Sequence, residues 1–121
     1  MMPSLLTMIS WVGWYLLYAT ASIFLLWVFY LAVMSLARVK DATGLNRQSE
    51  RLGTLVLIIG YLLDFNANIG VMTALLLEWP RETTVTARLK RHNKAGIGWG
   101  AKVARAFEPI LDPYDPSGDH I

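Results

Sequence analysis

Residues 52–79 read LGTLVLIIGYLLDFNANIGVMTALLLEW, an apolar run interrupted near its middle by Asp64, Asn66 and Asn68. A run of 28 residues is long enough to cross a bilayer as a tilted helix, since about 20 apolar residues suffice. Pro80 marks its far end, because proline cannot continue a helix without losing a backbone donor. A carboxylate at bilayer depth costs about 2.5–3.5 kcal/mol on insertion scales, so Asp64 is expected to face protein or a wet cavity rather than lipid. Gly60, Asp64 and Asn68 recur every fourth residue and share one helix face, with the glycine leaving room for a close neighbour. Asp64-Phe65-Asn66-Ala67-Asn68-Ile69-Gly70 is also a string of weak helix formers. Two shapes therefore fit the segment. One is a continuous transmembrane helix, favoured by the absence of an internal proline. The other is a broken, re-entrant pair of half-helices, tolerated only where protein or water covers the exposed backbone.

Upstream, Leu5 to Ala37 is 33 residues without a charge, a helix of about 50 Å at 1.5 Å per residue. With 55% hydrophobic residues in 121 and a mean hydropathy of +0.40, the chain is more apolar than a soluble domain of its size. Ala19-Thr20-Ala21 resembles a signal-cleavage site, but no Lys or Arg precedes it and the apolar run continues past it, so a retained helix is expected. Trp11, Tyr15, Tyr18 and Ser22 fall on one face of this helix, a surface suited to interfacial anchoring or to packing on the second helix.

The expected organisation is all-α: a lead (1–4), transmembrane helix one (5–37), a polar connector (38–51), transmembrane helix two (52–79), a basic amphipathic tail (80–111) and an acidic, turn-rich end (112–121). The connector holds four Lys/Arg and the first 18 residues after Trp79 hold five. Two crossings put these on opposite sides, so counting basic residues only mildly favours cytoplasmic termini in a multi-pass inner-membrane protein. A re-entrant second segment would place connector and tail together and remove the conflict.

The net charge of +2 conceals a segregation: residues 81–105 carry seven bases and one acid, whereas 106–121 carry four acids and no base. Arg81, Arg88, Lys90, Arg91, Lys94, Lys102 and Arg105 are expected on a membrane surface, facing anionic headgroups. A short basic helix is expected over Glu82 to His92, a break at Gly96 to Gly100, then a stripe of Val103, Phe107, Ile110 and Leu111 that Pro109 interrupts. No nucleic-acid motif accompanies the basic residues, so nucleic acid is not an expected partner. The glycines at 96, 98 and 100 lack phosphate-loop spacing. The C-terminal acids lack EF-hand spacing, Asp-Pro pairs favour turns, and there are no cysteines. No catalytic constellation, metal site or cofactor is expected, and an enzyme is not.

Several stretches resemble a set of small phage and prophage membrane proteins: Tyr30 to Met34, Gly60 to Asp64, Glu82 to Leu89, the Gly98-Trp99 step and Leu111 to Gly118. The resemblance spans roughly residues 30–121 and implies a phage origin and a membrane location, without a mechanism. The expected function is thus interaction within the host inner membrane, modulating an envelope process such as lysis or superinfection exclusion. A homo-oligomer or a membrane protein partner is expected. An oligomeric holin-like pore or cation conduit lined by Asp64 is the alternative, since carboxylate rings favour cations. A structural subunit of a membrane or virion assembly is a third reading.

Overall fold

The computed structural model describes residues 2–121, and among them every regular element is helical. Ser4 starts α1 (Leu5–Ala42) by accepting the Thr7 N–H through its hydroxyl at 3.2 Å, which satisfies one of the free donors at a helix start. The helix is 38 residues, about 57 Å long. It closes where Thr43 and Gly44 return their N–H groups to Val39 and Lys40, Gly44 taking the left-handed conformation (φ 77°) that glycine adopts freely. Asn46 then accepts the Ser49 N–H at 2.8 Å and starts the next helix.

The expected 14-residue connector is therefore a loop of residues 43–46. Residues 38–42 and 47–51 are helical, because adjacent stop and start signals at Gly44 and Asn46 close the turn tightly. The charges flanking it sit on exposed helix ends.

The second apolar segment is one unbroken rod. α2 (Arg47–Ala67) passes into a π-helical turn (Asn68–Met72) and a last α-helical turn, α3 (Thr73–Leu76). The weak helix formers around Asp64 widen the helix by this π turn rather than reversing the chain, so the re-entrant shape is not the one adopted. The rod stops at Leu76, three residues short of the expected end at Trp79. Leu77 is left-handed (φ 56°), and the residue before Pro80 is pushed away from helical angles.

α1 and the rod run antiparallel. Gly60 lies against Phe29 and Val33, and Gly53 against Leu36. Both rods pass the length and hydropathy requirements for a membrane span. No residue of α1 is buried by the rest of the protein, and Leu6 and Trp14 are 80% and 68% exposed.

The tail folds back on this pair. α4 (Val85–Ala95) begins at Thr84, whose hydroxyl accepts the Ala87 N–H, and ends at Gly96. α5 (Gly98–Leu111) carries Pro109 in its last turn, where the Arg105 carbonyl goes without the ladder N–H of residue 109, and runs into a 3-10 turn (Asp112–Tyr114).

The buried core lies where these helices meet the rod: Ala67, Met72 and Leu76 against Val85, Leu89, Val103 and Ala104. The tail's apolar stripe is thus covered partly by protein rather than by lipid, with Val103 buried, Phe107 and Leu111 half-buried and Ile110 exposed. α4 and α5 approach so closely that a methyl group on Gly100 would overlap the His92 ring.

Gly100→Val is therefore expected to destabilise the tail by about 1–3 kcal/mol, the usual range for overpacking. Gly13→Ala, where a methyl group meets open space, should be neutral or gain up to about 1 kcal/mol of helix propensity. Thermal midpoints of the two variants in one detergent check both.

Candidate functional site

Arg88 is fully buried, the bulkiest side chain in the chain to be so. A buried guanidinium must find acceptors for its five N–H groups or lose several kcal/mol of hydration. α4 places it against the π turn, where Nη1 donates to the Asn68 carbonyl (2.8 Å), to Asn68 Oδ1 (3.3 Å) and to Thr73 Oγ1 (3.2 Å). Nη2 donates to the Glu78 carbonyl at 2.6 Å and Nε to Glu78 Oε1 at 3.3 Å. The π turn supplies this geometry: carbonyls in such a turn are displaced from the α-helical ladder, and the Asn68 carbonyl turns to Arg88.

Glu78 is the counter-charge. Its Oε1 also accepts Arg91 Nη2 at 2.6 Å and pairs with His92 Nε2 at 2.7 Å, while Arg91 Nε pairs with Glu82. Desolvation alone would raise the Glu78 pKa. Hydrogen bonds from His92, Arg91 and Arg88 outweigh it and bring the value from the ordinary 4.5 down to about 2. Hydrogen bonds to Glu82 and Glu78 correspondingly raise that of Arg91.

Asp64 and Asn68 share a face, as their spacing implies, and that face meets the start of α4. Asp64 Oδ1 accepts the Val85 N–H at 2.6 Å, so a carboxylate from the rod caps another helix where its dipole favours negative charge. Asn68, fully buried, donates through Nδ2 to the Glu82 carbonyl at 2.7 Å. Asn66 points the other way and belongs to a second seam: the Tyr18 hydroxyl donates to its Oδ1 at 2.5 Å, and the Tyr15 hydroxyl donates to the Gly70 carbonyl at 2.7 Å. Gly70 leaves room for this seam, since a methyl group there would overlap the Tyr18 hydroxyl. The four residues Gly60, Asp64, Asn66 and Asn68 are thus divided between an α1 seam and an α4 seam.

Two expectations require correction. Trp11 does not join Tyr15 and Tyr18 in the packing seam. It is 64% exposed, one turn nearer the N-terminus, where an indole suits the headgroup level; Ser22 is half-buried. Arg88 is not a membrane-surface residue, because the π turn and Glu78 bury it. Arg91 is half-buried in its ion pairs, and Arg105 donates to the Gly96 carbonyl. Arg81, Lys90, Lys94 and Lys102 remain exposed.

The acidic end folds on itself and on α1, and it meets α4 where His120 Nε2 lies 3.0 Å from Thr86 Oγ1. Asp112 Oδ1 accepts the His120 N–H (2.7 Å) and the Ile121 N–H (3.1 Å), and Asp115 Oδ2 pairs with His120 Nδ1 at 2.8 Å. Hydrogen bonds from His120 and Ser117 hold the Asp115 carboxyl at about 2. Arg38 Nη2 donates to the Tyr114 carbonyl at 2.6 Å, the Tyr30 hydroxyl donates to the Leu111 carbonyl, and Trp27 packs edge-on against Tyr114. No cluster of three metal-ligating side chains occurs among the described residues.

Glu78 lies inside the apolar run of residues 52–79, so the sequence pattern does not single it out. The available signal was Glu78 itself, a lone acid at the helix end facing a segment with seven bases. No family model, curated protein or solved structure matches the chain.

Arg88→Ala is expected to cost about 3–5 kcal/mol, the range for breaking a buried ion pair, and to expose α4–α5 to protease. Arg88→Lys should recover only part, since an ammonium cannot reproduce the planar fork. Acid should act through Glu78. Its folded pKa of about 2 lies below the ordinary 4.5, so its contribution is present above that ordinary value and is lost as pH falls towards about 2. Protease protection of the tail should decline across this window in the wild type, and Glu78→Gln should flatten that part of the profile.

Proposed function

We propose that the chain is a small, phage-type integral membrane protein that acts by interaction within the bacterial inner membrane, modulating an envelope process such as lysis or superinfection exclusion. The observation that carries this reading is the distribution of polar groups on two rods of membrane-spanning composition. Tyr15, Tyr18, Asp64, Asn66 and Asn68 turn towards protein partners, while the outward residues of α1 and α2 are apolar and exposed. Hydrocarbon is the environment suited to that surface. The exposed Lys90, Lys94 and Lys102 of α4 and α5 suit water and anionic headgroups.

We read the acidic end of the tail as sharing the connector's side, which the connector's four bases suit to the cytoplasm. Arg38, close to the connector, holds the Tyr114 carbonyl, so the C-terminal segment finishes beside the connector rather than opposite it. The bases of α4 stay at the rod's far end, where Arg88, Arg91 and His92 meet Glu78. The conduit reading has less in its favour, because Asp64 already accepts the Val85 N–H and faces α4 rather than an open channel.

Single cysteines at Asn46 and Ser117, introduced into a chain that has none, are expected to be labelled from the same, cytoplasmic side. Labelling of Ser117→Cys from outside, with Asn46→Cys protected, would overturn this sidedness. Ion leakage abolished by Asp64→Asn would restore the conduit.

A further inference from the structure

Three apolar stripes converge on a space that they do not fill. Leu26, Phe29 and Val33 of α1 form the back wall, and the mouth lies between Leu57 and Tyr61 of α2 and Ile110 of α5. The cleft between them measures about 500 Å³. A gap of this size is within the ~300–1,000 Å³ range of small-molecule sites. Its lining is rich in rings, with Trp27, Phe29, Tyr30, Tyr61 and Phe107 all contributing. Aromatic side chains gain from a further ring packed offset or edge-on against them.

One edge is polar, where Asp64, Thr86 and His120 line the cleft together. Thr86 Oγ1 and His120 Nε2 lie 3.0 Å apart, and His120 Nδ1 pairs with Asp115, so these two side chains are occupied. Asp64 is only half engaged. Its Oδ1 accepts the Val85 N–H, and its Oδ2 carries no hydrogen bond among the described residues. Every fully buried side-chain oxygen among those residues has a partner, so Oδ2 is accessible rather than sealed. A carboxylate oxygen accepts and does not donate, so the partner it lacks is a donor.

Depth decides which donor can arrive. Asp64 stands near the middle of the second rod, so with both rods embedded the exposed lips at Leu57, Tyr61 and Ile110 open onto hydrocarbon. A charged headgroup does not reach that level. A bare acyl chain does, but it would leave Oδ2 unpaired in an apolar site, which is costly. The guest is therefore uncharged, soluble in hydrocarbon and a hydroxyl donor, and the ring-lined walls favour a hydroxyl carried on an aromatic ring.

We propose that this cleft binds the hydroquinone form of a membrane quinone, with one ring hydroxyl donating to Asp64 and the isoprenoid chain leaving between Leu57 and Ile110. The inference rests on the membrane reading above, because only embedded rods present the mouth to a ligand dissolved in hydrocarbon. The oxidised quinone carries acceptors alone and meets Oδ2 unfavourably, so the site distinguishes the two redox states.

The test uses the full chain purified in mild detergent under nitrogen and offered a decyl-substituted benzoquinol. The matching quinone, the dimethyl ether of the quinol and decanol are offered in parallel. Bound ligand is counted by native mass spectrometry. The wild type should hold one quinol per chain and favour it several-fold over the other three, since the ether lacks the donor and decanol lacks the ring. Ile110→Trp, which fills the mouth from an exposed position, should lower quinol occupancy about tenfold while the tail stays protected from trypsin. Leu57→Trp repeats the block from the opposite lip should Ile110→Trp loosen the tail. Asp64→Asn, whose amide oxygen can still accept Val85 N–H while its amide nitrogen replaces Oδ2, should lose the preference for quinol over ether and quinone.

Undiminished quinol occupancy in both blocked variants overturns the site. Equal binding of quinol and dimethyl ether by the wild type overturns the contact with Asp64, as does a preference that Asp64→Asn leaves unchanged. Decanol binding as well as the quinol overturns the aromatic ligand. Alkaline extraction of membranes separates the premises. A chain released as soluble protein overturns the membrane reading together with this one, whereas a membrane-retained chain that takes up no quinol overturns this one alone.

Discussion

The burial of one guanidinium organises the C-terminal half of the molecule. Arg88 cannot leave water unless five N–H groups find acceptors, and no single helix offers them. Its position requires the π turn at Asn68–Met72, the end of the rod at Leu76 and the side chain and carbonyl of Glu78 to be in register. Once that register holds, Asp64 meets the first N–H of α4, Asn68 meets the Glu82 carbonyl and Leu89 enters the core. A buried ion pair is weak evidence for net stability, because desolvation offsets much of the attraction. Its stronger effect here is on specificity, since sliding α4 by one turn along the rod would leave a charge buried without partners.

The fold was legible in outline because it depends on hydrophobic runs and helix caps, both local properties. The start of α1 at Leu5 and the left-handed end of α4 at Gly96 follow from residues next to them in the chain. The common face of Asp64 and Asn68 follows from helical periodicity. The α1 seam was half legible: Tyr15 and Tyr18 share a face, but their partners lie 55 and 48 residues away, at Gly70 and Asn66. The rest depended on where the tail goes. A basic amphipathic segment has the same pattern whether its apolar stripe rests on lipid or on a neighbouring helix. Arg88 and Lys90 look alike in the sequence, although one is buried and the other exposed. Only the acceptors around Asn68 and Glu78 separate them.

Polar residues inside a long apolar segment invite assignment to a pore or to an oligomer interface. In this chain most of that polarity has an internal use. Asn66 anchors a tyrosine of α1, Asn68 bonds the chain before α4, and Asp64 caps α4. Polar side chains on a hairpin are then a means of holding a water-facing unit against an apolar one, with each interhelical bond contributing about 0.6–2 kcal/mol.

The folded-back tail divides itself between the two ends of an unbroken second rod. Counting basic residues sets the connector against the tail whenever both rods are treated as simple crossings, because the tail then leaves from the far end. α4 runs outward from Asp64 to Glu78, and α5 returns: Trp99 donates to the Leu75 carbonyl near the far end, and Tyr114 is held by Arg38 near the connector. The chain between those contacts covers most of the rod's length. The bases of α4 thus sit by Glu78 at the far end, while the acidic segment reaches Arg38 near the connector. The same return path leaves three apolar stripes facing one another around a space with Asp64, Thr86 and His120 at one edge. Asp64, the residue most costly to place in a bilayer, thus stands where the rod, the cap of α4 and the open cleft meet.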